Sequence, residues 1–524
     1  MVDKDPQIGK DVIESLTLGM YEDCRFIYRE YIQNAADQID IASSGEHPLM
    51  RHDEGTIFVN INDKKKEISI EDNATGISKD HVYPILVNIA HSTKKRGENK
   101  GFRGIGRLGG LGYCATLIFE TSYFGEGVKS IMTWDANLMR TLINDRNKQE
   151  EASEVLKRVT SIKQESEDED KHYFKVILKG VTNKTLLDVK EVRTYLSMVA
   201  PIEISTNFIF RSKIKDYMRE KGLSVDTYNV YVNNDQIYKP YASNIYEDNN
   251  GGKKKVDSIH DIAFLYHLDK NGDLMYWGWY SLSSFKGQMK PINIARGIRL
   301  RCGNIQIGDA ELCKRYFEKT DDQRFSYYFF GEIHAVSKGL IPNSRRDYFG
   351  ESPECTEFET LMKVDFINLR KLCYDVSQIN NRYKAIEKGE KTEQEYKEKE
   401  KQGFTDKAEA AKWQAKLEDS QKKKEEAAKQ LPELIEKYKN TDSPINQIID
   451  KIIPEKPSKE VKPKKQPSKP SSGKPTFITD KPIYSRFDKK EKKLISKIYQ
   501  SIKNAIPEEL STILIKKIEE DITK

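Results

Sequence analysis

Glu30, Asn34 and Asp37 stand four and then three residues apart, a spacing that stacks all three on one face of an α-helix. They belong to the stretch Tyr28-Arg29-Glu30-Tyr31-Ile32-Gln33-Asn34-Ala35-Ala36-Asp37. For an arbitrary E-x3-N-x2-D, a polar stripe turned to water is the commoner meaning. Here Phe26, Ile27 and Ile41 share the sector, so the face is not simply solvated. Two carboxylates and an amide among apolar side chains describe a partly buried polar pocket. Such groups need a partner, and a bound ligand or metal ion is one.

The helix is expected from about Tyr21 to Ala42, ended by Ser43-Ser44-Gly45. Ile57, Val59 and Ile61 then alternate, Asn62-Asp63-Lys64 turns the chain, and Ile68 and Ile70 alternate again, a β-hairpin signature. It delivers Asp72 to a strand end, followed by Asn73-Ala74-Thr75-Gly76. An acid there is common in loops, yet it also offers an acceptor for an exocyclic amino group. Farther on, Gly101-Phe102-Arg103-Gly104-Ile105-Gly106-Arg107-Leu108-Gly109-Gly110-Leu111-Gly112 holds six glycines in twelve residues. Glycines at 101, 104 and 106 let a backbone approach a ligand and aim N–H groups at phosphate oxygens. No Gly-Lys-Ser/Thr follows, so this is not a P-loop. Gly104, Gly106 and Gly109 formally match the dinucleotide fingerprint, but the expected preceding strand is missing.

Taken together, these three pieces resemble the GHKL ATPases, closest to the heat-shock-90 branch, with MORC proteins as second choice. Arg29 to Asp37 matches Arg-Glu-x-x-x-Asn-Ala-x-Asp; Ile89-Ala90-His91-Ser92 is similar to the lid segment, and Gly101-x-x-Gly104-x-Gly106 to the phosphate loop. The chain departs from the family at Ala74, where D-x-G-x-G has its middle glycine. It also lacks the threonine that opens the strand near Tyr173 and supports the adenine contact.

The resemblance implies ATP and Mg²⁺ as cofactors and Mg-dependent ATP hydrolysis. Glu30 would be the general base, Asn34 the magnesium ligand, and Asp72 the acceptor for the adenine amino group, with Gly76 and Ile77 beside the base. Ser92, Thr93 and Lys94 would lie on a lid, and Gly101, Gly104, Ile105, Gly106 and Arg107 would hold the phosphates. Asp37 is as readily a support for the helix. Gly339-Leu340-Ile341-Pro342-Asn343-Ser344-Arg345-Arg346-Asp347-Tyr348 resembles the middle-domain loop that sends an arginine to the ATP site, which assigns that role to Arg346, with Arg345 as runner-up.

The expected fold class is α+β. A GHKL α/β-sandwich ATPase domain (1–205) is followed by an α/β middle domain (206–375) carrying the arginine loop and the strand-like runs Tyr228–Val232, Ile262–Leu268 and Leu274–Tyr280. Val189 to Ile202 reads as the closing helix of the first domain, and Glu165 to Asp170 as a solvated acidic loop. A charged helical segment (376–440), a Pro/Lys/Ser-rich linker (441–480) and a helical hairpin (481–524) complete the chain. Its apolar positions are Leu494, Ile495, Ile498 and Ile502, then Leu510, Ile513, Leu514 and Ile518.

The 88 Lys and Arg against 82 Asp and Glu argue against a strongly basic nucleic-acid binder. The six cysteines are widely spaced, which argues against a zinc site or a disulfide framework. There is no apolar run of membrane-spanning length, and a cytoplasmic protein is expected. Three functions compete: an ATP-driven conformational clamp on a protein partner or client, a MORC/MutL-like DNA-associated clamp using the basic linker, and a non-enzymatic scaffold with a vestigial pocket. A nucleotide-dependent homodimer is the family tendency. No phosphoacceptor helix precedes the site, which argues against a histidine kinase.

Overall fold

The computed structural model describes residues 8–17, 23–89, 106–145, 147, 149–441, 443–452 and 477–523. The chain divides into two compact units, Met1–Lys371 and Leu372–Lys524.

The first unit opens with α1 (Asp11–Thr17) and α2 (Phe26–Ala42). The helix carrying Glu30 starts later than expected, because Arg25 N–H donates to Asp23 Oδ1 at 2.9 Å and Asp23 to Arg25 turn instead. Strands β1 (Thr56–Asn62) and β2 (Glu67–Asp72) form the expected antiparallel hairpin. Helix α3 (Val82–Val87) follows, then β3 (Thr116–Ser122), β4 (Val128–Asp135), α4 (Ala136–Asn144), α5 (Ala152–Val159), β5 (Thr160–Ser166) and β6 (Tyr173–Lys179). Short α6 (Lys184–Leu187) leads into α7 (Val189–Val199) and α8 (Arg211–Glu220), and β7 (Asn229–Val232) and β8 (Asp235–Gln236) complete an eight-stranded sheet. Its order is β5-β4-β3-β6-β2-β1-β7-β8. Period-two patterning drives the packing. Ile57, Val59, Ile68, Ile70, Leu117, Phe119, Val176 and Leu178 are buried against Ile27, Ile32, Ala36 and Ile39 of α2.

Two expectations are corrected here. Tyr228–Val232, expected in the second domain, joins the first sheet: β7 runs parallel to β1, with Ile57 opposite Val230 and Val59 opposite Val232. The buried valines extend the same inward face. Asn233 reinforces the join, accepting from Ile61 N–H at 2.8 Å and donating to Ile61 O at 3.2 Å. The acidic stretch is also not all loop. Glu165 and Ser166 end edge strand β5, where cross-strand pairing with Lys129 and Val128 holds the backbone extended.

A second sheet in the same unit contains β9 (Asn244–Asn249), β10 (Gly252–Leu268), β11 (Leu274–Ser283), β12 (Gly297–Cys302), β13 (Ile305–Ile307) and β14 (Phe330–Ala335). Their order is β13-β12-β14-β11-β10-β9. Trp277, Trp279, Phe330 and Tyr241 pack with Phe208 and Ile214 into its core. A buried charged cluster ties this sheet to α7. Glu332 meets Arg301 Nε at 2.6 Å and Lys239 Nζ at 2.9 Å, while Arg301 Nη2 donates to Met198 O at 2.6 Å.

Helix α9 (Pro353–Gln402) runs on through the division between the units, and α10 (Lys407–Lys439) pairs with its later part. The pairing is charged at the rim, with Lys416–Glu395 at 3.0 Å and Lys424–Glu393 at 3.6 Å. After α11 (Ile449–Ile452), the second unit ends in α12 (Lys489–Ala505) and α13 (Glu508–Thr523), packed around Tyr484, Tyr499 and Ile515. The Pro/Lys/Ser run 454–475 lies outside the described residues. Among the described residues no helix is long and apolar enough to cross a membrane.

Candidate functional site

Helix α2 buries most of its length, so the polar face predicted from spacing lies against protein. Glu30 is 8% exposed, Asp37 3%, Arg29 2% and Gln33 1%, while Asn34 is half-buried one turn beyond Glu30. Glu30 stands between two guanidiniums. Arg346 Nε lies 3.3 Å from its Oε1 and Arg29 Nη2 lies 3.7 Å away. No donor among the described residues is aligned for a hydrogen bond to Glu30 Oε1. At Oε1 the carboxylate thus meets two cations without a directed hydrogen bond.

The end of the glycine-rich stretch closes against the same helix. A methyl group added at Gly106 would sit 2.4 Å from Glu30 Oε2, so only glycine leaves the carboxylate its present place. Beside them, Tyr31 Oη donates to Arg107 O at 3.0 Å and accepts from Gly110 N–H at 3.1 Å. Arg107 donates through Nη2 to Asn88 O at 2.6 Å, and burial pulls its guanidinium down to about 10. Helix α2 and the end of the glycine-rich stretch, from Gly106 onward, are therefore in contact. Ser92, Thr93, Lys94, Gly101, Gly104 and Ile105 lie outside the described residues.

Asp72 takes the next inward position of β2 after Ile68 and Ile70 and is 3% exposed. A carboxylate where the strand pattern calls for a third apolar residue is a buried acceptor, and Ala74 N–H donates to its Oδ1 at 3.1 Å. Ala74 itself is fully buried and uses both backbone groups, its carbonyl meeting His172 Nδ1 at 2.8 Å. The glycine that the loop requires is Gly76: its φ is +66°, and a Cβ there would lie 1.9 Å from Ser122 O. The missing threonine of β6 leaves Phe174 opposite Asp72. A hydroxyl reaches the loop from one strand farther, because Thr121 Oγ1 of β3 accepts from Ile77 N–H at 2.8 Å and donates to Tyr173 O at 2.9 Å.

Arg346 comes from the segment between β14 and α9. It is 8% exposed and holds φ +54°, a left-handed conformation that a non-glycine residue adopts at a cost of about 1–2 kcal/mol. Gly308 N–H donates to its carbonyl at 2.8 Å, and Asn343 Nδ2 donates to Asp347 Oδ1 at 2.5 Å across the turn. Arg345 is exposed and offers the backbone instead: Arg29 Nη2 donates to its carbonyl at 3.2 Å. One contributor escaped the sequence reading: Thr121 lies on β3, outside every sequence motif, and only tertiary packing brings its hydroxyl to the turn after β2.

Residues 30–168 match the family model described as histidine kinase-, DNA gyrase B- and HSP90-like ATPase. A curated relative, the chaperone protein HtpG of Wigglesworthia glossinidia brevipalpis, is 27% identical over 145 residues, which is 24% of this chain and 23% of that protein. The match thus spans about a quarter of the relative's length. Among solved structures, the ATPase region of Saccharomyces cerevisiae topoisomerase II aligns with TM-score 0.37 and 15% identity, covering 67% of this chain and 85% of that one. The same region bound to ICRF-187 (dexrazoxane) aligns with TM-score 0.37 and 14% identity over the same shares. The family-model match covers residues 30–168, so it is this region of the chain that is similar to the GHKL ATPases.

Proposed function

We propose that the protein binds and hydrolyses ATP at the junction of α2, the β2 end and the glycine-rich turn, and uses the cycle as a conformational clamp on a protein partner. The observation that carries this reading is the buried carboxylate of Glu30, 3.3 Å from Arg346 Nε and packed against a glycine that a methyl group could not replace.

The residues present fit a magnesium nucleotide. A Cβ at Gly106 would fill the space beside Glu30, Glu30 Oε1 lacks an aligned donor among the described residues, and Asn34 is half-buried one turn along the helix. Asn34 would hold the Mg²⁺ through its amide oxygen; the ion, when bound, would offset phosphate charge. Asp72 would accept from the adenine amino group, its place fixed by Ala74 N–H and the Thr121-braced turn. Glu30 would take the proton of the water that attacks the γ-phosphate. Arg346, already within reach of Glu30, would move its charge to the γ-phosphate as negative charge spreads there. Because Arg346 lies 316 residues along the chain from Glu30, that move would couple nucleotide state to the second sheet and α9.

The test measures nucleotide binding and turnover separately in the full chain with Mg²⁺. Glu30→Ala should bind ATP and lose hydrolysis, whereas Asp72→Asn should lose binding. Turnover that is equal with and without Glu30 removes the general-base assignment.

A further inference from the structure

Tyr31 follows Glu30 on α2, is buried, and faces the same glycine-rich turn. Its hydroxyl donates to Arg107 O at 3.0 Å and accepts from Gly110 N–H at 3.1 Å. Gly106–Gly112 form a 3₁₀ stretch, in which each carbonyl ordinarily pairs with the N–H of the third residue on. Arg107 O and Gly110 N–H are such a pair, so one phenol oxygen serves both ends of a single turn. A Cβ on Gly110 would lie 2.5 Å from that oxygen, 3.1 Å from Leu178 Cδ2 and 3.3 Å from Leu117 Cδ1. Only glycine there admits the hydroxyl.

The two ends of the stretch are held separately. Gly106 packs on the Glu30 carboxylate. Beyond Gly110, Arg140 Nη1 donates to Leu111 O at 2.6 Å and its Nη2 donates to Cys114 O at 2.7 Å. The Tyr31 hydroxyl therefore decides how close the middle of the turn stands to α2. Taking the oxygen away strands neither backbone group, because the turn can close on itself through its own 3₁₀ bond. Such a closure draws Arg107 and Gly110 together and away from the helix. The hydroxyl thus sets position more than stability.

We propose that Tyr31 is a positioning residue for the nucleotide: its hydroxyl holds the turn that carries Gly106 and Arg107, both assigned to the phosphates, at its distance from Glu30. The inference rests on the ATPase reading and adds a residue that touches the turn rather than the ligand. The adenine end of the site has bonds of its own, from Ala74 N–H to Asp72 and from Ile77 N–H to Thr121. Loss of the Tyr31 hydroxyl is therefore felt by the phosphates and not by the base.

The experiment compares adenosine and ATP binding by calorimetry in the full chain with Mg²⁺, with the fold checked by circular dichroism. Tyr31→Phe keeps the ring and removes the oxygen. It should weaken ATP about tenfold, the loss expected of a hydrogen bond or two, and leave adenosine affinity unchanged. Gly110→Ala drives a methyl group against the same oxygen and should reproduce the pattern from the other side; should one variant fail to fold, the other carries the comparison. The double variant should bind ATP no more weakly than the poorer single one, because there is one clasp to break. Equal losses for adenosine and ATP, an unchanged ATP affinity, or losses that multiply in the double variant overturn the proposal. A wild type that binds adenosine and ATP no better than an unrelated protein overturns the ATPase reading instead, and this role with it.

Discussion

A methyl group at Gly106 would meet Glu30 Oε2 at 2.4 Å, and the atom it meets is the free end of a side chain rather than backbone. The carboxylate can swing aside, so the fold tolerates the change while Glu30, the proposed general base, loses its position. Gly106→Ala is expected to lower turnover at least about tenfold, with stability changed by less than about 1 kcal/mol. Steady-state kinetics beside a denaturant midpoint checks this. Thr121 acts at the other end of the site, where its hydroxyl serves Ile77 N–H and Tyr173 O together. Thr121→Val keeps the shape and removes both bonds. It should weaken nucleotide affinity about tenfold, the free energy of a hydrogen bond or two, with kcat nearly unchanged. An unchanged Kd by calorimetry would mean the loop needs no brace.

Register and burial, rather than composition, set what each element contributes. Strand β2 carries Asp72 into the core because its period-two face continues past Ile70, and β7 joins the first sheet because Val230 and Val232 extend that face. The cluster between α7 and the second sheet obeys different physics. Two cations, Lys239 and Arg301, share the single carboxylate of Glu332, with Tyr241 Oη donating to that carboxylate at 2.9 Å and His334 Nε2 3.1 Å from it. Burial, aided by repulsion from Arg301 and opposed by Glu332, pulls the Lys239 ammonium down to about 7 from 10.5. The folded protein thus holds this proton less firmly than the unfolded chain. The stability contributed is full above pH 10.5 and is lost as pH falls toward 7. Wild type should gain melting temperature relative to Lys239→Met as pH rises from about 7 to 9; parallel pH curves for the two proteins would refute it. Glu332→Gln leaves Arg301 buried without its counter-charge and should destabilise by about 3–5 kcal/mol.

At the scale of the molecule, the contact between Glu30 and Arg346 joins residues distant in the chain within one compact unit. Removing Glu30 leaves Arg29 and Arg346, both nearly buried, facing each other without their carboxylate. Glu30→Ala should cost about 1–3 kcal/mol of stability, and adding Arg346→Ala should recover part of it by removing one charge and a side chain from a left-handed residue. A double-mutant cycle in denaturant measures the coupling; strict additivity would show that the two groups do not sense each other. In turnover, Arg346→Ala is expected to lower kcat with little change in ATP affinity.

Local spacing alone determined much of this protein. The E-x3-N-x2-D face, the alternation ending at Asp72 and the run of glycines are short-range patterns, and helix and strand periodicities make them legible without a structure. The helical character of residues 376–438 and the amphipathic hairpin at the end follow from propensity in the same way. What only tertiary structure decided is which distant groups meet: Thr121 in place of a threonine on β6, Tyr228–Val232 in the first sheet, and Arg346 rather than Arg345 beside Glu30. Those choices depend on pairing and burial between segments far apart in sequence, and no local pattern encodes a contact whose energy exists only once both partners have left water.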